Sequence, residues 1–137
     1  TIFERFDFDE YVLIDLPSLK PKEVYSMFAA SDWGVSLVPE GLSYMIPVKT
    51  YDYLASGLFV IGRGPPTGAL HSFLEKNQIG CFFSHDEEGA RIIEDYFKKP
   101  SVWKKKAVHG RAFVIQHCIR NDHAKKALER IQKWIHE

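Results

Sequence analysis

Residues 39–61, PEGLSYMIPVKTYDYLASGLFVI, decide the fold of this chain. They begin as the end of a strand, continue as a polar loop around Gly41, and then change to a helical pattern. Pro47 predicts the start of that helix, because proline is favoured in the first helical turn, where its missing N–H costs nothing. Gly57 predicts its end, since glycine readily adopts the left-handed conformation that closes a helix. With the apolar run at 58–61, the stretch predicts a strand–loop–helix–strand unit.

The same alternation extends in both directions along the chain. Short apolar runs predict strands at 11–16, 33–38, 58–61 and 79–83. Helical periodicity predicts helices at 21–31, 47–56, 69–76, 87–97, 101–109 and 121–136. Strands that alternate with helices over short connections form parallel sheets with right-handed crossovers. The predicted fold class is therefore α/β, a parallel, doubly wound, Rossmann-like three-layer sandwich.

Length and composition indicate one ordinary globular domain. The 137 residues predict a single unit, 1–137, whose last part, 101–137, is helical. No apolar run approaches the roughly 20 residues that cross a bilayer, and no signal peptide opens the sequence. The two cysteines, Cys81 and Cys118, are too few for a disulfide framework and suit buried thiols in a reducing compartment. We therefore expect a cytoplasmic protein.

The charge is balanced overall but is unevenly distributed. Residues 1–97 carry 7 Lys/Arg and 15 Asp/Glu, whereas residues 98–137 carry 11 and 3, so the two parts have net charges of −8 and +8. A basic helical end suits an anionic membrane surface, and the chain would then be membrane-associated. It also suits an acidic partner lobe or a solvated helix face. We expect no nucleic-acid partner, because no zinc finger, RNP-type motif or Arg-rich arm is present.

The loop before the helix at 47–56 predicts a binding site. It follows a parallel strand, and open α/β sheets bind ligands beyond the carboxyl ends of their strands. Free backbone N–H groups at a helix N-terminus favour anions such as phosphate. Lys49 adds a cation in the first turn, and Asp52 places a carboxylate one turn further on. The six histidines show no metal-ligand spacing with cysteines or carboxylates, so we expect no metal site.

The residues of this unit resemble the donor-binding, C-terminal domain of GT-B glycosyltransferases, in the retaining family that often carries an E-x7-E motif. The pattern P-x-K-x-x-E-Y-x-A-x-G-x-P-V-I stands here as Pro47, Lys49, Asp52, Tyr53, Ala55, Gly57, Phe59, Val60 and Ile61. The chain departs from this pattern in two places and from the E-x7-E motif at its first glutamate. Asp52 stands for the second glutamate, Phe59 stands for a proline, and Tyr44 occupies the position of the first glutamate.

The resemblance implies a nucleotide diphosphate sugar as substrate, with no further cofactor, and polysaccharide biosynthesis as the setting. It implies that Glu40 contacts the donor sugar and that Asp52 accepts hydrogen bonds from the ribose. The base would lie beside Leu16, Pro17 and Ser18. The donor's nucleotide and diphosphate would contact the residues of the loop and the following helix, Gly41, Leu42, Ser43, Tyr44, Lys49 and Asp52. The resemblance assigns no catalytic residue.

A complete enzyme of this kind transfers sugar to a glycan or lipid-linked acceptor in a cleft between two domains. The resemblance therefore implies an N-terminal acceptor domain upstream. This chain would be a truncated donor-binding domain, inactive in isolation. A second reading is a non-catalytic, flavodoxin-like interaction module. A receiver-type domain of that kind is disfavoured, since no acidic cluster follows the first predicted strand.

Overall fold

The computed structural model describes residues 18–136, except for the side chains of Arg120 and residues 134–136. The predicted strand at 11–16 lies outside the described residues. The elements in chain order are α1 (Pro21–Ala29), β1 (Trp33–Leu37), a 3₁₀ helix (Glu40–Leu42), α2 (Val48–Ala55), β2 (Phe59–Arg63), α3 (Ala69–Lys76), β3 (Gly80–Phe83), α4 (Asp86–Lys98), α5 (Pro100–His117) and α6 (Arg120–His136).

The three described strands form one parallel sheet in the order β1-β2-β3. Val35 of β1 is in register with Ile61 of β2, and Ile61 with Cys81 of β3. Central strand β2 is buried at its first four residues, whereas buried and exposed residues alternate along β1. Helices cover both faces of the sheet, so the α/β, Rossmann-like fold predicted from the sequence is confirmed.

Two apolar cores lie on the two faces of the sheet. Helices α2 and α3 cover the first core, and α4 lies over the second. The first contains Val38, Leu54, Val60, Leu70, Leu74, Ile79 and Val114. The second contains Phe59, Ile61, Cys81, Tyr96, Trp103 and Ala107. Since α2 and α3 share a face, the crossovers β1–α2–β2 and β2–α3–β3 advance in the same direction across the sheet.

Helix α5 connects the two cores beneath the amino-terminal edge of the sheet. Trp103 packs in the second core, Gly110 lies against Leu54 and Ile79 at that edge, and Val114 packs in the first core. The predicted helix 101–109 was therefore too short, because α5 continues to His117. Gly110 does not end it, since a side chain there would come within 2.8 Å of Leu54 Cδ2, and glycine permits this close approach.

Basic side chains of α5 bind carbonyl groups at the same edge. Arg111 Nε donates to the Ala55 carbonyl at 3.0 Å, and His109 Nε2 lies 3.2 Å from the carbonyl oxygen of Asn77. These carbonyls close α2 and α3, where the helix dipole favours positive charge. Lys106 Nζ reaches the Gly80 carbonyl at 3.4 Å. Some of the basic side chains in the C-terminal part therefore hold α5 against the sheet and its helices.

The C-termini of α2 and α3 have the same closing geometry. The Leu58 and Gly57 N–H groups donate to the carbonyls of Tyr53 and Leu54, each at 3.0 Å, which is the Schellman arrangement. Gly57 has φ of 81°, so the predicted glycine stop is confirmed. In α3 the equivalent left-handed residue is Gln78, with φ of 56°. At the other end of α2, Pro47 is the N-cap and the helix begins at Val48, one residue later than predicted.

Replacing Gln78 with glycine is expected to raise the free energy of unfolding by about 1 kcal/mol, because glycine has no Cβ to strain a left-handed backbone. The opposite change, Gly57→Ala, should lower it by a similar amount. An added Cβ at Gly57 would lie 3.6 Å from Arg111 Cδ, so its cost is in the backbone and not in a clash. Urea unfolding of both variants measures the effects, and shifts of the same sign would contradict this explanation.

Candidate functional site

A buried hydroxyl pair positions α2 against β1. Ser36 Oγ and Thr50 Oγ1 are 2.6 Å apart, and both residues are at most 2% exposed. Each hydroxyl satisfies the other, which removes the cost of burying an unpaired polar group. One turn further along, the ring of Tyr53 lies directly on Gly34, where a Cβ would overlap it. These two contacts place the N-terminus of α2 beside the carboxyl end of β1.

The loop between β1 and α2 is held from both sides. Leu42 and Ile46 turn inward and pack against the first core. The Ser43 carbonyl accepts a hydrogen bond of 2.6 Å from the Ala69 N–H, at the start of α3. Gly68 lies against the same carbonyl, where an added Cβ would be 3.1 Å from the oxygen. The loop therefore forms a fixed rim at the carboxyl edge of the sheet.

The N-terminus of α2 presents unused hydrogen-bond donors at this rim. Pro47 caps the helix without a side-chain hydrogen bond, and its carbonyl accepts from the Thr50 N–H at 2.9 Å. The N–H groups of Val48 and Lys49 have no acceptor among residues 18–136. The first N–H groups of a helix need outside partners, and the helix dipole makes the position favourable for an anion. The end of α2 therefore suits a negatively charged ligand.

The predicted site residues lie on or beside this rim, in different environments. Gly41, Ser43 and the side chain of Tyr44, which is 78% exposed, face solvent, as does Glu40 on the 3₁₀ helix. Leu42 does not, because its side chain is half-buried against the first core. Leu16 and Pro17 lie outside the described residues, while Ser18 is exposed.

Lys49 and Asp52 differ in burial, although both belong to α2. Lys49 is exposed and lines a shallow depression of 250 Å³ along the outer edge of β1, together with Val35, Leu37 and Pro47. Asp52 is half-buried, and its carboxylate has no hydrogen-bond or ion-pair partner in the described part of the chain. Asp52 lies about 6 Å along the helix axis from Val48, at 1.5 Å per residue. A ligand at the helix N-terminus therefore has both an ammonium group and a carboxylate within reach.

An ion pair at the same edge was missed by sequence reasoning. Arg63, the last residue of β2, contacts Asp86 Oδ1 through Nη2 at 3.1 Å and through Nε at 3.2 Å. The side chains are 50% and 82% exposed, so the pair adds little stability and the guanidinium remains accessible. The available signal was an arginine at the carboxyl end of a predicted strand.

The other reactive groups are unsuited to chemistry at this edge. Burial raises the pKa of the Cys81 thiol, even though Lys106 Nζ lies 3.6 Å from its sulfur, and a thiol with a raised pKa is a poor nucleophile near neutral pH. Burial also raises the pKa of Tyr51 and of Tyr53, and both phenols stay neutral near pH 7. Within residues 18–136, no three His, Cys, Asp or Glu side chains come together as a metal site.

Fold and rim together define an α/β domain with an open helix N-terminus at the carboxyl edge of its sheet, which is where folds of this class bind ligands. A family model described as glycosyl transferase-like matches residues 7–131, and the chain belongs to this family. Neither a curated protein nor a solved structure matches it. In the described residues, no helix has the length and apolarity needed to span a membrane.

Proposed function

We propose that this domain binds the nucleotide diphosphate sugar used by a glycosyltransferase, at the rim formed by residues 40–49 and the start of α2. The observation that carries the proposal is that the N–H groups of Val48 and Lys49 have no acceptor among residues 18–136, on the helical turn that also bears the Lys49 side chain. A diphosphate is the anion that such an end accepts best, since several of its oxygens can bind at once. Membership of the glycosyl transferase-like family supports the proposal that this diphosphate belongs to a nucleotide-sugar donor.

The chemistry of glycosyl transfer explains why these groups are needed. As the sugar leaves, negative charge develops on the departing diphosphate, and donors already aimed at that charge lower the barrier. The Val48 and Lys49 N–H groups and the Lys49 ammonium would stabilise it. Arg63, which among the described residues is held by an exposed ion pair to Asp86, would add a second cation when a phosphate competes for it.

The remaining contacts concern the nucleoside and the sugar. We propose that Asp52 accepts hydrogen bonds from the ribose hydroxyls, because its half-buried carboxylate has no partner in the described chain. Glu40 would contact the donor sugar, and Leu16, Pro17 and Ser18 would flank the base. The rim residues Gly41, Leu42, Ser43 and Tyr44 would shape the space for the diphosphate, with Leu42 acting through its anchorage in the core.

A nucleoside diphosphate is expected to bind at the rim more tightly than the corresponding nucleoside, because only the diphosphate neutralises the helix N-terminus. Amide shift mapping by NMR measures this, with UDP, GDP and ADP each compared with its nucleoside. Residues 40–52 should shift in a saturable way with at least one diphosphate. If all three leave these amides unmoved at millimolar concentration, the proposed site is wrong.

The domain is expected to bind its donor without transferring the sugar. In the GT-B arrangement, the acceptor binds to a second domain, and closure of the two completes the site and excludes water. We propose that this chain acts together with such an acceptor domain in polysaccharide biosynthesis, with retention at the sugar carbon. Incubation with donor sugars and a broad acceptor panel, followed by mass spectrometry, measures transfer. Glycosylated product above background would mean that the chain is a self-sufficient enzyme.

A further inference from the structure

The described side chains of helix α6 are open to solvent. Every described side chain on it from Asn121 to Lys133 is exposed, including Leu128 at 56% and Ile131 at 50%. Its contact with the preceding helix is near its start, where His123 Nε2 lies 2.6 Å from the His117 carbonyl oxygen. None of the other described elements packs along it. Isolated helices of this length are marginal in water, because most helical stability comes from covering an apolar face.

The sequence of α6 separates apolar and charged side chains around the helix. Ala124, Ala127, Leu128 and Ile131 follow each other at spacings of three and four residues, so they share one face. The acids Asp122 and Glu129 are seven residues apart and lie together on the opposite side.

Cations border the apolar face on both sides. Helical geometry places Lys125 on one flank and Arg130 on the other. Lys126 lies one turn before Arg130 on the same side of the helix, further round towards the polar face. A groove beside Lys126 and Arg130 is floored by the apolar residues Ala127 and Ile131. No acidic side chain in the described part of the chain pairs with any of these three cations.

We propose that α6 docks on an anionic lipid surface, with Leu128 and Ile131 inserted at the headgroup boundary and Lys125, Lys126 and Arg130 bound to lipid phosphates. An apolar stripe bordered by lysine and arginine, with its acids on the far side, is the arrangement of interfacial helices. An anionic bilayer attracts each of these cations. An acidic protein surface would also attract them, and binding to protein-free vesicles separates the two. The inference is independent of the donor site, since no residue of the rim belongs to α6.

Vesicle flotation tests this docking. The full chain is mixed with vesicles of phosphatidylcholine and phosphatidylglycerol in equal parts, or of phosphatidylcholine alone, at low and at high salt. We expect binding only to the anionic vesicles, weakened by salt. Lys125→Gln/Lys126→Gln should weaken it about 25-fold, since each cation near an anionic surface contributes about fivefold. Leu128→Ser should weaken it about tenfold, through the lost burial of an apolar side chain.

A matched pair of lysines on α5 provides the control. Lys104→Gln/Lys105→Gln removes the same charge from the same basic half of the chain, from exposed side chains outside α6. This variant should lose no more than a few-fold in affinity. If the two double variants lose the same affinity for anionic vesicles, the binding is a non-specific attraction of the basic region, and docking by α6 is wrong.

Two further results would overturn the proposal. Absence of binding to the anionic vesicles by the unmodified chain is the first. The second is self-association of the unmodified chain in analytical ultracentrifugation that Leu128→Ser abolishes, because the face would then bind protein. Thermal unfolding by circular dichroism shows whether each variant folds, and we expect no change in melting temperature, because α6 lies outside both cores.

Discussion

Replacing Leu54 with alanine is expected to lower the free energy of unfolding by about 3–4 kcal/mol, within the range for a fully buried leucine. Leu54 is 0% exposed and belongs to the first core with Val60, Leu74 and Val114. It joins α2 to the sheet and to α5, whose Gly110 leaves space for its methyl group. The surrounding elements are fixed by their own hydrogen bonds, so the cavity left by alanine should collapse only in part.

Leu128→Ala is the matched control, because it makes the same substitution at a side chain that is 56% exposed on α6. Its effect should stay within about 0.5 kcal/mol, as for other surface changes. Urea unfolding followed by circular dichroism measures both. A loss below about 1 kcal/mol for Leu54→Ala would mean that α2 is not packed as described. Since small domains have only about 5–15 kcal/mol of stability, the expected loss is a large fraction.

Periodicity and glycine were sufficient to predict most of the described elements. The helix predicted at 69–76 has the bounds of α3, and the strand predicted at 79–83 contains β3. These signals are local: a helix shows its period within its own residues, and Gly57 marks a left-handed backbone wherever it occurs. A parallel sheet then follows, because short βα connections leave few other topologies.

Features that depend on distant residues were missed. The hydroxyl bond between Ser36 and Thr50 joins positions fourteen residues apart, and neither residue alone indicates a buried partner. The length of α5 was underestimated because Gly110 resembles a helix end, although Leu54 and Ile79 explain the glycine. In both cases the feature depends on a contact between two elements, and the sequence of one element alone does not predict such a contact.

The candidate site was predictable in place but not in detail. The strand–loop–helix pattern placed the N-terminus of α2 at the carboxyl edge of the sheet, and the structure has it there. The pattern treated residues 41–44 as equivalent loop positions. Their orientations differ, because Leu42 is drawn into the core while Tyr44 extends into solvent. The ion pair of Arg63 with Asp86 depends on how the end of β2 is placed beside the start of α4, and the sequence of neither element alone predicts this.

Removing the carboxylate of Asp52 should weaken binding of the nucleoside diphosphate by about 1–3 kcal/mol, the range for a lost hydrogen bond to a charged group. The side chain is half-buried on α2 and has no partner in the described chain. It is therefore available for a ribose hydroxyl, and Asp52→Ala would leave that hydroxyl unpaired. Isothermal titration with the diphosphate that binds the unmodified chain most tightly measures the change.

Two control variants separate a ligand contact from a general charge effect. Asp52→Glu keeps the carboxylate and restores the residue of the resembled motif, so its affinity should stay within a few-fold of the unmodified chain. Asp122→Ala removes an exposed carboxylate from α6, outside the rim, and should leave the affinity unchanged. If Asp52→Ala and Asp122→Ala behave alike, Asp52 is a surface acid. If Asp52→Ala alone weakens binding and Asp52→Glu rescues it, the carboxylate itself holds the nucleotide.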